Sequence, residues 1–66
     1  MANEFNQART EVITREIRQL RASQNEMNET AVAWKAEGQP AKQVRGAYAQ
    51  AAVYSEMAAA LEALLK

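Results

Sequence analysis

The sequence predicts an all-α fold: a two-helix antiparallel hairpin, coiled-coil-like, assembled into a dimer or a higher-order helical bundle. Three observations predict it. The 66-residue chain has one strong punctuation mark, Glu37-Gly38-Gln39-Pro40. On both sides of it, apolar residues recur at alternating short steps that match a helical period. The stretch after it, from Ala49 to Leu65, is apolar round more of its circumference than one neighbouring helix covers.

Each element follows from these. Gly38 suits the left-handed position after a helix end, and Pro40 suits the first turn of a new helix. The chain therefore reads as a single helical-hairpin domain over 1–66, with a helix at about 3–36, a turn at 37–39 and a helix at about 40–65. A connection this short favours antiparallel neighbours. In the first helix Ile13, Ile17, Leu20, Gln24, Met27, Ala31 and Trp34 form a stripe of period 3.5, the signature of a coiled-coil seam. Gln24 has two readings: a seam amide that fixes register, or a solvated break in a locally weak stretch. In the second helix the facing seam is Val44, Ala47, Ala51, Tyr54, Ala58, Leu61 and Leu65, rich in alanine, so the two backbones approach closely. Gly46 reads as an in-helix glycine that costs about 1 kcal/mol relative to alanine and permits a close backbone contact.

Tyr48, Val53, Met57, Ala60 and Leu64 fall outside that narrow seam. The first helix cannot cover them, so they form the expected association surface, facing a second copy or a helical partner protein. Composition leads the same way. A chain this short buries too little surface to be comfortable alone. It has no cysteine for a disulfide or thiolate site and no histidine for a zinc site or a neutral-pH base. No cofactor and no metal site is expected, which leaves association as the means of stabilisation.

Eight acids balance eight bases, so no basic excess marks a specific duplex nucleic-acid partner. No apolar run approaches a membrane span, and the N-terminal stretch lacks the pattern of a secretory signal, so the expected setting is cytoplasmic, without a membrane partner. Enzymatic chemistry is not expected. Glu56 and Glu62 are the only acids of the second helix, and a two-helix hairpin offers no cleft to perturb a carboxylate. With the turn near residue 38, position i faces about position 76 − i. That rule places Glu56 near Arg18 and Arg21, and Glu62 near Arg15 and Arg18, as a surface ladder. The arginines Arg9, Arg15, Arg18 and Arg21 spread round the first helix, and Glu11 with Arg15 makes a favourable pair one turn apart.

One cluster suggests a ligand. Trp34 lies before the turn, and Lys42, Arg45 and Tyr48 lie after it, beside the free amides at the start of the second helix. With Arg18 and Arg21 gathered from several copies, these are candidate contacts for an anionic small ligand. The plainer reading has Trp34 closing the seam against Tyr48 while the cations stay solvated. The glycine–proline turn, Lys42, Gln43 and the apolar run to Leu65 resemble the small helical-hairpin co-chaperones that guard type III secretion needle subunits. That resemblance implies a chaperone-like role. Small phage-encoded inhibitors of bacterial defences are similar in size and composition, and some are hairpins that oligomerise to trap nucleotides. The expected function is thus a non-enzymatic interaction protein that self-associates and binds or caps a partner, as adaptor, chaperone-like factor or inhibitor. The alternative is an oligomeric binder of a small ligand or nucleotide.

Overall fold

The computed structural model describes residues 2–66, with side chains from residue 3 onward. Helix α1 runs Ala2–Ala36 and helix α2 runs Ala41–Ala63, and among the described residues there is no strand. The two pack side by side into a rod of 56 × 14 × 12 Å. Its radius of gyration is 15.8 Å, against about 11 Å for a compact chain of this length. The rod's length is set by α1, since 35 residues at 1.5 Å rise span roughly 52 Å. With 23 residues, α2 is shorter. Its C-terminal end lies at Arg9, whose guanidinium sits 3.5 Å from the Leu64 carbonyl. The first two turns of α1 therefore project beyond α2.

The turn closes by a specific pattern of hydrogen bonds. The Gln39 amide donates to the Trp34 carbonyl at 3.0 Å, and the Gly38 amide donates to the Lys35 carbonyl at 3.2 Å. This is the Schellman arrangement, which satisfies carbonyls that a helix end would otherwise orphan. It requires a left-handed residue, and Gly38 has φ of 77°. Pro40 differs from expectation by one position. It stands before α2, with φ −53° and ψ 138°, and its carbonyl accepts from the Gln43 and Val44 amides. The extended ψ makes it the cap and not the first helical residue.

The seam is dominated by small side chains. The buried residues are Ile13 and Ala31 of α1 and Val44, Ala47, Ala51 and Ala58 of α2. Ala31 and Ala58 have no exposed surface. Ile17, Leu20, Gln24, Met27, Trp34, Tyr54 and Leu61 are half-buried. Beside the turn, Ala31, Val44 and Ala47 form a cluster against which Met27 and Trp34 pack. Among the described residues no large side chain is fully buried. Burying one methyl group stabilises by about 0.8 kcal/mol, whereas a fully buried leucine contributes about 1.5–3 kcal/mol. An alanine seam therefore brings the backbones close but supplies little hydrophobic free energy. Leu65 departs from its expected place in the seam. The helix has ended at Ala63, the Leu64 and Leu65 amides bond only three residues back, and Leu65 is 40% exposed.

Candidate association surface

The one cross-helix ion pair among the described residues is Arg21 to Glu62, Nη2 to Oε1 at 2.9 Å. The same guanidinium donates through Nη1 to Gln24 Oε1 at 2.9 Å and to Ser55 Oγ at 3.2 Å. Gln24 is thus hydrogen-bonded within a polar clasp along one edge of the seam. This corrects the expected ladder. Glu62 pairs with Arg21, not with Arg15 or Arg18, and Glu56 is exposed with no ion pair among the described residues. Nor is Glu11 paired with Arg15 there. The reason lies in side-chain direction. Helical side chains lean toward their own N-terminus, so in an antiparallel pair Arg21 and Glu62 lean toward each other. That lean closes an offset along the axis of about 10 Å. Ser55, level with Arg21, was missed as a partner because a lone serine carries no periodic signal.

Opposite the clasp lies the apolar flank. A helix turns 100° per residue, which places Gly46, Gln50, Val53, Met57, Ala60 and Leu64 on one side of α2. All six are exposed. They recur at steps of four and three, a second heptad-like stripe beside the seam. By the same geometry Phe5 and Val12 lie on the corresponding side of α1, also exposed, with Phe5 at 70% on the projecting end. Tyr48 is exposed as expected, but it lies about 140° round the helix from Val53, on the other side. It is separate from the stripe. Nothing within the chain approaches Gly46: a Cβ built there would meet no atom within 4 Å. The expected close backbone contact at this glycine does not occur inside the hairpin.

The candidate ligand contacts are dispersed. A depression of about 340 Å³ near the turn is lined by Lys35, Gln39, Ala41, Val44, Arg45 and Tyr48. Lys42 is exposed outside that lining, and Trp34 packs into the cluster under the turn. Arg18 lines a separate depression with Thr10, Glu11, Thr14 and Arg15, and Arg21 is engaged in the clasp. Within one chain the structure does not bring Arg18 or Arg21 together with Arg45.

No protein family, characterised protein or solved structure matches the chain. Among the described residues, no helix is long and apolar enough to cross a membrane. The chain exposes 5034 Å², whereas a compact monomer of its mass exposes about 4,200 Å². The surplus and the apolar stripe together make the flank of α2 the candidate functional surface.

Proposed function

We propose that this protein is a non-enzymatic helical interaction module that self-associates and binds or caps a partner protein, in an adaptor, chaperone-like or inhibitory role. One observation carries the reading: Val53, Met57 and Leu64 stand on one exposed side of a helix whose buried residues are a valine and three alanines. The hairpin buries little of its apolar surface internally and presents Val53, Met57 and Leu64 along one stripe, while Val32 and Tyr48 are exposed elsewhere. Apolar surface of that kind is what protein interfaces use.

A second reading is favoured by the depression at the turn. Lys35 and Arg45 flank it, Tyr48 offers an aromatic face, and α2 begins without a side-chain cap on its free amides. An anionic ligand such as a nucleotide suits that chemistry.

The two readings separate in one pair of measurements. The purified chain serves as bait in an extract of its host, beside Met57→Glu, and melting is followed with and without ATP and inorganic phosphate. The interaction reading expects a stoichiometric protein partner held by the wild type and lost by Met57→Glu, with no change in melting. A rise of several degrees with ATP, and equal recovery by both baits, would overturn it in favour of the ligand reading.

A further inference from the structure

We infer that the flank of α2 is a homodimer interface, in which α2 of one copy packs antiparallel against α2 of a second copy about a two-fold axis level with Ser55. The inference rests on the interaction reading above and adds its surface, partner and register.

The stripe is self-complementary in that register. A two-fold axis at position 55 sets residue i opposite residue 110 − i. Gly46 then faces Leu64, Gln50 faces Ala60, and Val53 faces Met57 of the second copy. Each layer sets a smaller side chain against a larger one, the condition for interdigitation. Gly46 finds its use here: the open space over this exposed glycine becomes room for Leu64 of the second copy. A depression of about 390 Å³ lined by Ala49, Gln50, Val53 and Tyr54 lies on this side. The register places it opposite Met57 and Ala60 of the second copy.

The same axis accounts for the unequal helices. Ser55 lies level with Arg21, to which it is hydrogen-bonded at 3.2 Å, close to the midpoint of α1. Two rods related by this axis therefore overlap along nearly their whole length. The turn of each copy comes beside the projecting first turns of the other, where Phe5 is 70% exposed. The first helices present Glu16, Gln19, Ser23 and Glu26 on the same side, so they form a polar rim while the second helices make the apolar contact. The area suits a pair of chains. The chain exposes about 830 Å² more than a compact monomer of its mass, close to the roughly 800 Å² that each partner gives up in a standard interface. A formal net charge of zero leaves little repulsion between copies.

Disulfide trapping tests the register, since the chain has no cysteine of its own. Val53→Cys and Met57→Cys are prepared separately, mixed and equilibrated in a glutathione buffer. The mixed chains are expected to give a cross-linked dimer in high yield. Either variant alone is expected to give little, because identical positions are offset along the axis and lie beyond the roughly 7 Å that a disulfide tolerates between Cα atoms. Sedimentation of the wild type should give twice the 7.3 kDa chain mass. Gly46→Leu should weaken the dimer about tenfold to a hundredfold by overpacking, and adding Leu64→Ala should restore much of the loss. Circular dichroism establishes that each variant is helical. A monomeric wild type at millimolar concentration, or self-linking of Val53→Cys as efficient as mixed linking, would overturn the inference. If such a monomer still holds a host protein through Met57, the interaction reading survives alone. If it neither self-associates nor holds any protein, both fall.

Discussion

Gly38 carries more of the topology than any other residue. Its φ of 77° lets the Gln39 and Gly38 amides reach back to Trp34 and Lys35. A Cβ added there meets nothing within 4 Å, so the cost of a side chain is conformational and not a collision with neighbours. Gly38→Val should destabilise by about 2 kcal/mol, because a β-branched residue is penalised in the left-handed region. Gln39→Ala keeps its backbone donor and should stay within about 0.5 kcal/mol. In a domain of this size the valine variant should then melt roughly 8–16 °C lower, measured by circular dichroism at one protein concentration. Equal melting of the two variants would place the decisive turn residue elsewhere. This glycine was legible in the sequence because one residue type answers one backbone demand. The partners of Arg21 were not. A flexible guanidinium chooses among Gln24, Ser55 and Glu62 by reach and lean, and residue spacing along the chain does not encode either.

At the scale of the helices, the division between seam and flank follows from periodicity. Ile13, Ala31, Ala47, Ala51 and Ala58 fall where steps of three and four put them, and they are buried. The end of α2 was less legible. Leu64 and Leu65 continue the apolar pattern, but the helix closes at Ala63, and the Leu64 and Leu65 amides donate to carbonyls only three residues back. The two faces should respond differently to substitution. Ala58 has no exposed surface, so Ala58→Leu forces volume into a closed seam and should cost about 1–3 kcal/mol. It should lower the melting temperature at every protein concentration. Leu64→Glu leaves the seam intact and puts a charge on the flank, so it should lose mass in sedimentation while keeping most of its helix. Identical behaviour of the two variants in both measurements would mean that seam and flank are not distinct surfaces. The phase of the second stripe was present in the sequence, through Gly46 and Gln50 as well as the apolar residues. It becomes recognisable once Tyr48 is assigned to the opposite side.

For the molecule as a whole, the rod shape and the alanine seam have one cause: two helices without a third layer cannot enclose large side chains. What interior there is lies unevenly along the rod. The cluster of Ala31, Val44 and Ala47, with Met27 and Trp34 against it, lies immediately beside the turn. At the far end, contacts such as Arg9 with Leu64 join residues 55 apart in sequence. Ala31 and Val44 are separated by only 13 positions. Closing the shorter loop is cheaper in chain entropy by roughly 1.2 kcal/mol, about 0.6 kcal/mol for each doubling of length. The position of this cluster therefore predicts an order of events in time: the hairpin should nucleate at the turn and zip toward its open end. Ala47→Gly should slow refolding with little effect on unfolding, whereas Leu61→Ala should chiefly accelerate unfolding. Stopped-flow fluorescence of Trp34 at a fixed protein concentration measures both rates, and a reversed pattern would place the nucleus at the open end. Zipping from the turn would leave the open end as the first part to come apart, so amide protons near Arg9 and Leu64 should exchange soonest and those around Ala31 and Ala47 last.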